Sequence, residues 1–167
     1  QPRRSCLRAN DTAQPLPEHG DLRGHILPHA VYTYSGLTAA HAARVLKQDQ
    51  LAKVSLIGQD HNLGFRAGTI SAVAAYRTPL GPIPLHKDAG TLLQRRDLFH
   101  SSTVSDNKEH SLEVILPFIQ HLMGEFALVP LVLGPGKTQQ IAEAIRPLID
   151  VRTLLVISSD LYNFLPY

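Results

Sequence analysis

The sequence has no tryptophan, one methionine and one cysteine, Cys6, in 167 residues. A single cysteine cannot close an intrachain disulfide, so no disulfide framework substitutes for a hydrophobic core and nothing points to an oxidising compartment. No apolar run approaches the roughly 20 residues that span a bilayer. The opening segment QPRRSCLRANDTAQPLPEHG lacks the apolar centre of a secretion signal. A cytoplasmic protein without membrane contact is the expectation. Charge of one sign is also scarce: the formal net charge is +2, too small to imply nucleic acid as a partner. Arg3, Arg4 and Arg8 make the nearest approach to a basic cluster and read as a solvated tail.

What is present is a globular composition, 44% hydrophobic and 18% charged. Residues 1–21 are polar and Pro-rich and read as an arm or loop, and residues 22–167 as one α/β domain. Gly24–Leu27 reads as a strand stopped by Pro28. Leu37, Ala40, Ala43, Val45 and Leu46 have helical spacing over Ser35–Gln48, with Ser35 as N-cap. Val54–Ile57 reads as a strand, Ile70–Tyr76 as a third, of edge or hairpin type, and Thr78–Leu85 as an extended loop, because its prolines deny ladder donors. A short helix is expected over Asp88–Arg96. Another spans Ser111–Met123, where Pro117 marks either a kink or a first turn, and where Ser111 or a neighbour would cap and Glu113 would favour the first-turn dipole. Phe126–Leu133 and Val151–Ser158 are strongly apolar strands, flanking a helix over Thr138–Ile149.

Strands alternating with helices predict a three-layer α/β fold with a mostly parallel central sheet covered on both faces. Ligands bind such sheets beyond the carboxyl ends of the strands. Three strands run there into polar residues: Pro28-His29, Gly58-Gln59-Asp60-His61 and Ser158-Ser159-Asp160. Two histidines and a carboxylate at one sheet edge suit a divalent metal or acid–base chemistry. Glu109 and His110 either cap the following helix or stand at the site as proton carrier and supporting partner. His41, His121, His19, His25, His86 and His100 lack strand-end context and read as structural or surface groups. GPGKT, Gly134–Thr138, lacks the glycine spacing of a phosphate loop, so no nucleotide cofactor is expected.

Six segments, in order, resemble the Memo family, called AmmeMemoRadiSam system protein B in bacteria and archaea. They are PHAVYTYSG (Pro28–Gly36), LIGQDH (Leu56–His61), RTPLG (Arg77–Gly81), EHSLEVILPF (Glu109–Phe118), VPLVLG (Val129–Gly134) and ISSDLYNFLPY (Ile157–Tyr167). That family is similar to the class III extradiol ring-cleavage dioxygenases, which hold a non-haem metal. The resemblance implies that His29 and His61 are metal ligands, for Fe(II) or copper. His110 and Asp160 would be catalytic groups, supported by Glu109 and Tyr34. It places a third ligand, a cysteine, downstream of this sequence. The end at Tyr167, just after a core strand, fits a C-terminally incomplete domain, whose uncovered apolar face would favour a homo-oligomer.

The departures from the family pattern are specific. Asn163 stands where the pattern has histidine, and an amide cannot shuttle protons near neutral pH. Val31 replaces a glycine, Gln59 a proline, and His86 stands near a usual aspartate. The resemblance therefore implies a metal-binding protein that takes a small molecule or peptide in its strand-end cleft without turnover, with an extradiol-type dioxygenase as the alternative.

Overall fold

A computed structural model of the chain describes residues 23–30, 32–43, 51–61, 64, 66–102 and 110–160, with the side chains of residues 32, 34, 42 and 43 outside the description. The 1–21 arm, Cys6, Val31, Glu109 and Asn163 lie outside the described residues.

The described residues form eight strands: β1 (Gly24–Leu27), β2 (Lys53–Gln59), β3 (Gly68–Thr69), β4 (Ala75–Thr78), β5 (Gly81–Pro84), β6 (Phe99–His100), β7 (Ala127–Leu133) and β8 (Thr153–Ser158). Six of them make one sheet in the order β1-β8-β2-β7-β3-β6. Its pairs are parallel except β3 with β7. The sheet is thus mixed but mostly parallel. The carboxyl ends of β1, β8, β2 and β7 share one edge.

The period-2 alternation of the long strands divides the core. Val54 and Leu56 of β2, Leu128 and Val132 of β7, and Leu154 and Val156 of β8 face one side. There they pack on Ala39 and Ala40 of α1 (Tyr32–Ala43) and on Leu116, Phe118 and Ile119 of α3 (Leu116–Met123). Val129 and Leu131 face the other side, against Ala89 and Leu92 of α2 (Lys87–Leu93) and Ile141 and Ile145 of α4 (Thr138–Ile145). Helices on both faces make the expected three layers.

Several local expectations are corrected. Thr78–Leu85 is not a loop: β4 and β5 form an antiparallel hairpin pairing Ala75 with Pro84 and Arg77 with Pro82. Pro82 and Pro84 are two apart, so both missing N–H groups point to the same edge, away from β4. The strand placed at Ile70–Tyr76 is mostly irregular chain: β3 ends at Thr69, and only Ala75 and Tyr76 fall in a strand, β4. Ser35 is not an N-cap. The helix starts at Tyr32, and the Ser35 hydroxyl, inside the first turn, donates to Ala30 O at 2.6 Å. For Pro117 the second of the two expected readings holds: it sits in the first turn of its helix, where its missing N–H costs nothing. Neither Ser111 nor Glu113 serves that helix: Ile115 is its N-cap residue, without a side-chain bond, and its first turn has no acidic residue. Pro147 ends α4 in a short 3-10 turn, Arg146–Leu148.

Candidate functional site

The strand-end residues are placed with one regularity. His29, His61 and Asp160 each stand two residues beyond the last residue of β1, β2 and β8. These strands are parallel neighbours in the order β1-β8-β2, so their first loop residues meet over the carboxyl edge of the sheet. Leu27, Leu56 and Val156 anchor the strands beneath by burial in the same apolar layer. The site is a consequence of topology rather than of proximity in sequence.

His29 is the buried member, 3% exposed, whereas His61 and His110 are exposed at the mouth. The rings of His29 and His61 meet edge to face, with centroids 5.0 Å apart and planes at 80°. His110 enters from the segment leading to α3. It stacks on His61 at 5.6 Å and 23°, with its centroid 6.4 Å from that of His29. Asp160 closes the base. Its Oδ1 accepts from the backbone N–H of His29 at 2.8 Å and of Ala30 at 3.2 Å, and its Oδ2 lies 3.8 Å from His29 Nε2. Its geometry is thus that of a clamp on the turn that carries His29.

Beneath the imidazoles lies a second, buried tier. His29 Nδ1 is 2.7 Å from Ser158 Oγ. Ser158 donates in turn to the backbone carbonyl of Ser111. Ser111 Oγ donates to Gln59 O at 3.3 Å. Ser158 and Ser111 are 2% and 0% exposed. Sequence reasoning gave neither this role: Ser111 read as a helix cap and Ser158 only as part of the polar strand end. Their signal was a hydroxyl ending the apolar run LLVIS, and one set directly before an apolar helical pattern.

The chemistry of the donor set decides what could be held here. Two neutral imidazoles in edge contact suit two positions of a borderline metal, whose His nitrogens bind at about 2.0–2.1 Å. His61 and His110 turn faces toward one another rather than converging edges. Among the described residues no group of three or more His, Cys, Asp or Glu side chains is arranged to hold a metal ion. A metal on His29 and His61 therefore needs further donors from outside them. Glu109 and Asn163 lie outside the described residues, as does the Tyr34 side chain, whose backbone belongs to α1.

The family model for Memo-like proteins matches residues 4–167. The chain belongs to the Memo family. It is 35% identical to a memo-1 homolog protein of Caenorhabditis elegans, over 90% of this chain and 47% of that protein. It is 32% identical to a MEMO1 family protein of Methanopyrus kandleri, over 97% of this chain and 62% of that protein. With a MEMO1 family protein of Thermotoga neapolitana the identity is 36%, over 84% and 53%. This Memo family chain thus spans about half to three fifths of the length of these relatives.

Other polar groups belong to the scaffold. His86 caps α2, accepting from Asp88 N. Lys53, at the amino end of β2, donates to Asp88 Oδ2 at 2.8 Å and Leu148 O at 2.6 Å. A cavity of about 460 Å³, lined by Ala52, Pro82, Gln120, Glu125 and Ala127 among others, also lies at the amino ends of β2 and β7, away from the histidines. No helix among the described residues is long and apolar enough to cross a membrane.

Proposed function

We propose that this Memo family chain is a metal-binding protein, with His29 and His61 as two ligands and the strand-end cleft as a binding place for a small molecule or peptide. The observation carrying this reading is the edge-to-face approach of the two imidazoles at 5.0 Å, the inner one buried and hydrogen-bonded through its far nitrogen. Fe(II) or copper, when bound, would supply open coordination positions and redox capacity. Asp160 holds the His29 turn, and His110 stands beside His61 as a second exposed imidazole. Asn163, at the family pattern's histidine, can hydrogen-bond a ligand but cannot carry a proton near neutral pH, which favours binding over turnover.

Metal content of the purified chain, compared with His29→Ala and His61→Ala, tests the assignment. Loss of metal in both variants is the expected result. Unchanged stoichiometry in both would remove it.

One observation favours a second reading, an extradiol-type dioxygenase. His110 is an exposed imidazole stacked on a proposed ligand at 5.6 Å, where it could serve as proton carrier in place of the missing histidine. Oxygen uptake with catechol-type substrates separates the two readings. Uptake that is abolished in His110→Ala supports the enzyme. Its absence in both the native chain and Asn163→His supports the binding protein.

A further inference from the structure

We infer that Ser158 and Ser111 are positioning residues that fix the tautomer of His29, holding its proton on Nδ1 and its lone pair on Nε2. The role assigned to that lone pair rests on the metal-binding reading above; the tautomer itself does not.

The argument is a count of protons. A serine hydroxyl has one hydrogen to give and two lone pairs to receive with. Ser158 Oγ lies within hydrogen-bond distance of two groups, the Ser111 carbonyl and His29 Nδ1. A carbonyl oxygen only accepts, so the hydroxyl proton goes to Ser111 O. The remaining contact, 2.7 Å long and buried, must then be donated by Nδ1–H. In a neutral imidazole only one nitrogen carries a proton, so Nε2 keeps its lone pair. Nε2 is also the nitrogen beside Asp160, at 3.8 Å too far for a hydrogen bond to that carboxylate. A metal-binding histidine needs this state, with the outer nitrogen unprotonated and the inner N–H held by an acceptor.

The relay is braced at its far end. Ser111 O can hold the Ser158 proton only if the 110–112 segment stays against the end of β2. Its own hydroxyl donates to Gln59 O. Gly58 makes the approach possible: a Cβ there would come within 2.7 Å of Leu112 Cδ2 and collide with the Ser111 side chain. The relay thus ties the end of β2, through Ser111 and Ser158 of β8, to the imidazole after β1. The acceptor of His29 Nδ1 is 129 residues away in sequence, so the fold and not the local chain sets this contact.

The test is made on the metal-free chain labelled with ¹⁵N-histidine, by long-range ¹H–¹⁵N correlation above the imidazole titration range. His29 is assigned by its loss in His29→Gln. The native chain is expected to show a protonated Nδ1 and an unprotonated Nε2. Ser158→Ala should shift the population toward the Nε2–H form, and Ser158→Thr, which keeps the hydroxyl, should restore the native pattern. An Nε2–H tautomer in the native chain would overturn the inference, as would a native pattern in a folded Ser158→Ala. A general packing defect would give loss in both serine variants without rescue by threonine, which also overturns it. Co(II) titration then tests the link to metal: Ser158→Ala should bind about 10- to 100-fold more weakly. If the tautomer pattern holds but the native chain takes up no Co(II), the metal reading fails and the positioning role stands.

Discussion

Asp160 Oδ1 accepts the backbone N–H of His29 at 2.8 Å, across 131 residues of sequence. A second bond from Ala30 N makes one carboxylate oxygen the fastening of the whole turn after β1. Asp160→Ala leaves two partly buried donors without that acceptor and is expected to lower stability by about 1–3 kcal/mol. Asp160→Asn, which keeps a carbonyl oxygen, should lose less. Urea denaturation of the three proteins checks the order.

Lys53 and Asp88 form an ion pair buried on both sides. Removing Lys53 takes the ammonium from the buried Asp88 carboxylate, which then faces only His86 Nδ1 at 3.2 Å among charged neighbours, so Lys53→Met is expected to cost up to about 3–5 kcal/mol. Lys53→Met combined with Asp88→Leu should recover much of the loss. Because Lys53 opens β2 and His61 follows its other end, metal content of any folded variant should not change. A double-mutant cycle by thermal unfolding, with metal analysis, tests both statements.

Acid should weaken the fold through His25. Burial holds its imidazole below the ordinary value of 6.5. The unfolded chain therefore takes up a proton at a higher pH than the folded one. The resulting stability is fully present above 6.5 and is lost as pH falls from there through the lower folded value. His25→Leu should flatten this slope. Equal slopes in stability–pH curves of the two proteins would refute the assignment.

Asp150 acts in a lower pH window. The Thr153 hydroxyl, then the Arg152 N–H and Lys53, hold its carboxyl below the usual aspartate value of 3.8. Its contribution is present above 3.8 and lost as pH falls through the depressed folded value. Thr153→Val should reduce stability at neutral pH and narrow its gap from the native chain in acid, as read by denaturant midpoints.

How far the sequence discloses this molecule depends on the range of the interaction. His29, His61 and Asp160 were legible because each ends an apolar run, and parallel strands must bring such ends to one edge. Cover on both faces of the sheet was legible in the unbroken apolar runs LVPLVL (128–133) and LLVIS (154–158). The two-residue strands Gly68–Thr69 and Phe99–His100 are too short to carry a period. The β4–β5 hairpin was hidden because a proline count does not say which edge each missing N–H faces. Ser35 resembled a cap because its hydroxyl does bond the backbone, though from inside the helix. Ser158 and Ser111 were illegible as partners, since their bond depends on how closely Gly58 lets two distant segments approach.

The position of β1 has a consequence for access. It is four residues long, stands at the end of the sheet order, and has β8 as its one strand partner among the described residues. A strand held from one side opens locally at lower free energy than central strands such as β2. His29 rides on that strand, so occupancy of the site and closure of the sheet margin are thermodynamically linked. Backbone amides of Gly24–Leu27 should exchange with deuterium faster than those of Lys53–Gln59, and a bound ion should slow the former selectively.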